Sequence, residues 1–250
     1  MELEAYLAVI ASEAARMAAV AEEAGLDAKT PTCPRWNIRK LIHHTGEVHR
    51  FATAVVAGRY TSLAKVPNDT RGPLPTDAKT VGWFRDGVAR LIDTLATADE
   101  SVEYDMFLRD PGMPRLLIWA RRQAMELCIH RVDAESAVGR CTPVPPNVAA
   151  EGIDEYLTGF ITRGNGAVHR DTPQSIGIAP TDTEQRWTVT ISGGPIVTER
   201  RARKADCTVK GSASNIFMAL WNRPGLDDSA VKGDTSLFTD LGANVRIRWS

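Results

Sequence analysis

A glutamate and a histidine stand four residues apart in the run Glu126-Leu-Cys-Ile-His130. On a helix that spacing stacks the two side chains on one face. A carboxylate and an imidazole so placed can reach one metal ion. The run lies in a stretch of helical period, about Arg115–Gly139, that starts after Pro114. With Leu116 as zero and about 100° per residue, Leu127 and Ala134 fall within about 20° of it. Trp119 and Ala137 fall near 300°, Glu126 near 280° and His130 near 320° on the same wheel, at about 100° per step. Both polar residues therefore lie among apolar neighbours, on the side that faces an interior, while Arg121 and Arg122 point elsewhere. A buried carboxylate is costly unless it is paired or bound to metal. The plainer alternative is a Glu–His pair that satisfies itself at the edge of a bundle, because the motif alone is weak.

His43, His44 and His49 form a second group. With Leu41 as zero, His44 falls near 300°, between Phe51 and Val55, at about 100° per residue. His43 falls near 200°, on the solvent side, and His49 near 80°, at the far edge of the apolar face, by the same roughly 100° step. Periodicity therefore selects His44 as the inward histidine, although a core histidine bonded to a backbone carbonyl is the competing reading. One inward histidine and an inward Glu/His pair make three N/O ligands. Three protein ligands with an open fourth position is the pattern of catalytic zinc, whereas structural sites close with four. The same set also accepts nickel or iron. Cys128 lies about 160° from His130 on the wheel and is not expected to be a ligand. Trp36, Trp83 and Trp119 read as bundle core.

These side chains need elements to hold them. Four helices are predicted in the first part of the chain: about Leu3–Ala24, stopped by Gly25; Ile38–Val56, ending at Gly58; Val81–Ala98; and Arg115–Gly139. Pro67, Asn68, Gly72, Pro73 and Pro75 break the stretch between the second and third. Four such helices without strand signals imply an antiparallel four-helix bundle, and facing helices of a bundle core are a common place for metal. Pro143, Pro145 and Pro146 mark a boundary. Residues 1–145 are thus expected to form the bundle and 146–250 a smaller mixed α/β domain, an α+β chain overall. The second domain should hold a helix over about Val148–Arg163 and strands at Ser175–Ala179, Trp187–Ile191, Ile196–Thr198 and Cys207–Val209. A helix at Ser212–Trp221 and late strands at Val231–Gly233 and Val245–Trp249 complete it.

Composition narrows the function classes. The chain has 250 residues, 43% hydrophobic and 24% charged, which is too apolar for a disordered protein. Its net charge of -1 creates no field that draws nucleic acid or an anionic membrane. The Ala-rich N-terminus carries Glu2, Glu4, Glu13, Arg16, Glu22 and Glu23 and reads as a helix rather than a secretory signal. Four scattered cysteines, Cys33, Cys128, Cys141 and Cys207, fit free thiols in a reducing cytoplasm. Walker A, GxGxxG, GxSxG and HExxH motifs are absent, which counts against those nucleotide, hydrolase and metalloprotease chemistries.

Three segments carry a family resemblance. WNIRKLIHHTGEVHRFATAVV at Trp36–Val56 and MELCIHRVDAESAVG at Met125–Gly139 resemble the mycothiol-dependent maleylpyruvate isomerase family. ADCTVKGSASNIFMALWNR at Ala205–Arg223 is similar to that family's second domain. The resemblance implies a DinB-like bundle followed by a sterol-carrier-like α/β module. It implies a divalent metal, zinc first, held by His44, Glu126 and His130, with the doubled histidine leaving His43 as an alternative to His44. It implies mycothiol as thiol cofactor or co-substrate and a small electrophilic substrate of the maleylpyruvate kind. The reaction would be a cis–trans isomerisation, in which a thiolate adds to a conjugated cis alkene and leaves after rotation, or an S-transfer in which the adduct is kept. Arg223 matches an arginine that would hold a substrate carboxylate or enolate, and is the catalytic candidate; a surface arginine at a helix C-terminus is the alternative. Asp133 could orient the His130 ring or join a salt bridge with Arg131 or Arg163. No nucleic acid or membrane partner is expected, and the oligomeric state is open. A non-catalytic module that binds metal or a small molecule is the rival reading, and lipid binding by the second domain a third.

Overall fold

Gly25 ends the first helix in the way its lack of a Cβ allows. In the computed structural model α1 spans Leu3–Ala24, and Gly25 follows with a φ of 78°, its N–H bonded to the Ala21 carbonyl. The structure describes the chain except residues 109, 111, 164–167 and 245–250. The strand expected at Val245–Trp249 lies outside the described residues. Two compact units result, Met1–Thr142 and Pro143–Ser250.

The first unit is built from α1, α2 (Ile38–Ala57), α3 (Thr80–Ala96) and α4 (Arg115–Ser136). Asn37 caps α2 by accepting a hydrogen bond from the Lys40 N–H at 3.0 Å. Pro114 precedes α4, where a helix can begin without losing a needed donor. Cross-helix contacts fix the directions. Gly46 and Arg50 of α2 face Trp83 and Gly87 of α3 in the same order, so these neighbours run parallel. A Cβ at Gly46 would lie 2.1 Å from the Trp83 ring, so glycine permits this close approach. His44 and Phe51 of α2 meet Glu126 and Trp119 of α4 in reverse order, so α2 and α4 are antiparallel. Parallel neighbours cannot be joined by a tight turn, and the proline-rich stretch from Gly58 to Lys79 makes the crossover. It holds two short 3-10 turns, Leu63–Lys65 and Asp77–Lys79.

α4 differs from the other three. α1, α2 and α3 each show an apolar face and an exposed one, whereas α4 is buried from Ile118 to Glu135 on all sides. Its charged residues must therefore be paired inside the protein.

The second unit opens with α5 (Pro146–Glu155), which continues through a π turn, Tyr156–Phe160, and a 3-10 turn, Ile161–Arg163. A mixed five-stranded sheet follows in the order β3-β2-β1-β4-β5. The strands are β1 (Gln174–Pro180), β2 (Trp187–Ile191), β3 (Val197–Glu199), β4 (Cys207–Gly211) and β5 (Val231–Gly233). Central β1 pairs antiparallel with β2 and parallel with β4. Ile176, Ile178 and Val189 turn to the core with the alternation of a half-buried sheet. α6 (Ala213–Leu220) packs on α5, capped by Ser212, which accepts from the Asn215 N–H at 3.2 Å. A last helix, α7 (Ser236–Asn244), was not anticipated from the sequence. No described helix is long and apolar enough to cross a membrane.

Candidate metal centre

His44 from α2 and Glu126 and His130 from α4 converge. One nitrogen of each ring and one oxygen of the carboxylate lie within 4.8 Å of one another. Among the described residues this is the one such cluster of three. His44 Nε2 is 3.0 Å and His130 Nε2 3.1 Å from the same oxygen, Glu126 Oε1. The antiparallel crossing of α2 and α4 brings them to one depth, and the i,i+4 spacing on α4 does the rest. The glutamate side chain is 2% exposed, against 18% for His44 and 9% for His130, so the cluster opens on its histidine side.

His43 is not part of the cluster. Its ring stands edge-on to Trp83 at 6.0 Å, and burial is the main cause that lowers its basicity. His49 is also elsewhere, fully buried and stacked on Phe84 at 5.8 Å. Burial pushes its pKa down to about 3, so it is neutral.

Neighbours saturate the back of the cluster. Glu126 Oε2 accepts from Arg122 Nη2 at 2.7 Å. Arg122 was expected to point elsewhere; instead it is fully buried, because every face of α4 is covered and the guanidinium finds its counter-charge one turn on. Arg121 is likewise buried and donates to Asp110 at 3.1 Å. His130 Nδ1 lies 2.9 Å from Asp133 Oδ2, and Thr32, in the loop before α2, donates to Asp133 Oδ1 at 2.6 Å. Arg131 does not compete for Asp133: it faces the other way and pairs with Glu13 and Glu135. Trp36 is half-exposed rather than core, and its indole lies over His130 (5.8 Å, 21°) and edge-on to His44 (4.8 Å, 64°).

The charges are tightly coupled. Burial alone would raise the Glu126 carboxyl, but the charges of His130 and Arg122 and hydrogen bonds from both histidines hold it well below the usual range. Burial alone would lower His130, but Glu126 and Asp133 outweigh it and push it up to about 9. Both ring nitrogens of His130 face carboxylates, which only accept, so without metal the ring is doubly protonated.

Two imidazole nitrogens and one carboxylate oxygen are the donor set of an open catalytic zinc site. Ligand atoms of tetrahedral zinc stand about 3.3–3.5 Å apart, as bond lengths near 2.0–2.2 Å require. The 3.0 and 3.1 Å separations from Glu126 Oε1 fall just under that spacing, and the whole set lies within 4.8 Å. The residues present therefore suit a divalent ion. Arg223, the catalytic candidate from the sequence, lies in the second unit just after α6. It is half-buried, and its Nη1 donates to the Trp221 carbonyl at 2.7 Å.

Comparisons with known proteins agree with this picture of the fold. The model of the mycothiol maleylpyruvate isomerase N-terminal domain matches residues 7–135, and that of the family's C-terminal domain matches residues 147–240. The chain belongs to the mycothiol maleylpyruvate isomerase family. It is similar in fold to the crystal structure of the mycothiol-dependent maleylpyruvate isomerase, with a TM-score of 0.58 at 14% identity over 94% of each chain. A histidine-to-alanine mutant of that enzyme gives a TM-score of 0.60 at 14% identity, again over 94% of each chain. No curated protein matches.

Arg122, Thr32 and Trp36 are the site residues that sequence reasoning missed. The i,i+4 spacing of Arg122 and Glu126 was the available signal for the first. Nothing local marks Thr32, which is 101 residues from its partner.

Proposed function

We propose that this chain is a metal-dependent enzyme that uses mycothiol, either a cis–trans isomerase or an S-transferase, acting on a small maleylpyruvate-like electrophile. The observation that carries this reading is the convergence of His44, Glu126 and His130 in a chain whose two halves both match the family. In this reading residues 1–145 are a DinB-like metal-binding bundle and 146–250 a sterol-carrier-like module, in the cytoplasm.

His44, Glu126 and His130 would hold the ion, zinc first. A bound divalent ion supplies a Lewis acid that lowers the pKa of a coordinated thiol. Mycothiol supplies the sulfur nucleophile. The protein's own part begins with charge. Two neutral imidazoles and one carboxylate leave a dication with net positive charge, which favours an anionic sulfur over a neutral one. Arg122 holds Glu126 Oε2, which leaves Oε1 facing the histidines. Trp36 lies over the His130 ring and meets the His44 ring edge-on, which places an apolar surface beside both ligands. Arg223 is assigned the positive group for a substrate carboxylate or the enolate that develops from it.

The test is thiol-dependent turnover of cis-enone acids, followed with zinc, with chelator, and in His44→Ala and Arg223→Ala variants. The reading expects turnover only with zinc and mycothiol, none in His44→Ala, and a raised KM in Arg223→Ala. Full metal binding by His44→Ala would contradict it.

A further inference from the structure

The loop between α1 and α2 reaches the cluster twice. Thr32 donates to Asp133 Oδ1 at 2.6 Å, and Asp133 Oδ2 faces His130 Nδ1 at 2.9 Å. Four residues on, Trp36 lays its indole on the His130 ring. The loop is firmly held. Thr30 donates its hydroxyl to the carbonyls of Cys33 and Trp36, at 3.1 and 3.3 Å. The Ile38 and Arg39 N–H groups bond back to Ala28 and Leu26, and Lys29 bridges Asn37.

We propose that Thr32 is a positioning residue of the metal centre, acting through Asp133 on His130. The proposal rests on the metal-binding reading above. A histidine that binds metal through one nitrogen must keep its proton on the other, and a carboxylate partner enforces this. Asp133 is fully buried on α4. The Thr32 hydroxyl engages one oxygen and so turns the other toward Nδ1. That fixes the proton on Nδ1, presents Nε2 toward Glu126, and sets the ring plane that Trp36 covers. The loop thus couples its own docking to the readiness of a ligand on α4, whose Asp133 lies 101 residues from Thr32 in sequence.

The experiment measures zinc affinity of the full chain by competition with a chromophoric chelator, in the parent and in Thr32→Ser, Thr32→Val and Asp133→Asn. Thermal midpoints of the metal-free proteins and the ¹⁵N shifts of the His130 ring in the zinc-loaded proteins are measured beside it. Asp133→Asn should bind zinc about 10–100-fold more weakly. Thr32→Val, which keeps the shape and loses the donor, should weaken binding about 3–10-fold, the scale of one lost hydrogen bond. Thr32→Ser should restore parental affinity. The His130 shifts should report an Nδ1–H in a strong hydrogen bond to Asp133 in the parent and in Thr32→Ser, and a weakened one in Thr32→Val. Parental affinity in Thr32→Val, or equal weakening in Thr32→Val and Thr32→Ser, would overturn the proposal while leaving the metal centre intact. No zinc binding by the parent would overturn both.

Discussion

Two buried charged clusters occupy α4 on opposite faces and use neighbouring residues. On one face His130, Glu126 and Asp133 meet His44 and Arg122. On the other, Arg131 donates to Glu13 of α1 at 2.6 Å and to Glu135 at 2.9 Å. Both are largely buried, yet they are built differently. Around Arg131 one cation sits between two carboxylates, with the Thr142 backbone bonded to both Arg131 and Glu135, and Glu13 and Glu135 are at most 6% exposed. Around Glu126 three groups that can each offer a lone pair crowd one point, and two of them keep an edge open. The first arrangement fastens α1 to α4. The second holds protons where a cation fits. Burial of charge alone therefore does not mark a site; convergence of lone pairs toward an accessible point does.

The comparison breaks most sharply under substitution. Glu126→Gln should remove metal binding, with a loss beyond the ~10–100-fold of an outer-partner change, read by chelator competition. Arg131→Met should do the reverse. It leaves Glu13 and Glu135 buried without their cation, which should cost about 3–5 kcal/mol in denaturant unfolding, while metal stoichiometry stays at the parental value. If both variants lost metal and stability alike, the two clusters would be one structural network.

Protons sharpen the contrast next. His130 must give up a proton to bind metal, and its pKa of about 9 lies above the ordinary 6.5. Zinc affinity should therefore climb with pH between 7 and 9, by about tenfold per unit for one released proton. The metal-free protein shows the same group in its stability. A folded value above the unfolded one gives stabilisation that is complete below pH 6.5 and is lost as pH rises through 9. His49, held neutral near pKa 3, acts oppositely: stability falls as pH drops from 6.5 toward 3. Unfolding scans with and without zinc should lose the alkaline slope when zinc is present. The smallest effect belongs to Cys128→Ala, which should leave zinc affinity unchanged, because this buried thiol lies outside the converging set.

Much of this was legible in the sequence. α1 ran from Leu3 to Ala24 as expected because Gly25 supplies an unambiguous stop. Helical period placed Glu126, His130 and His44 on inward faces, and the structure brings those three together. The residues that were misread have physical reasons. Arg122 looked solvated because arginine usually is, and only the complete burial of α4 reverses that. Trp36 looked like core because large aromatics usually are, but it sits in a loop at the opening of the cluster. Thr32 pairs across 101 residues, a distance at which local pattern is silent. α7, Ser236–Asn244, is short and carries Gly242, so its period was too brief to read.

The most direct test is elemental analysis of the chain purified without chelator, beside a His44→Ala/His130→Ala double variant. The account predicts about one divalent ion per chain, as a three-ligand site with an open position holds, and none in the double variant. No ion in the parent after zinc is added back, or equal metal in the double variant, would contradict it.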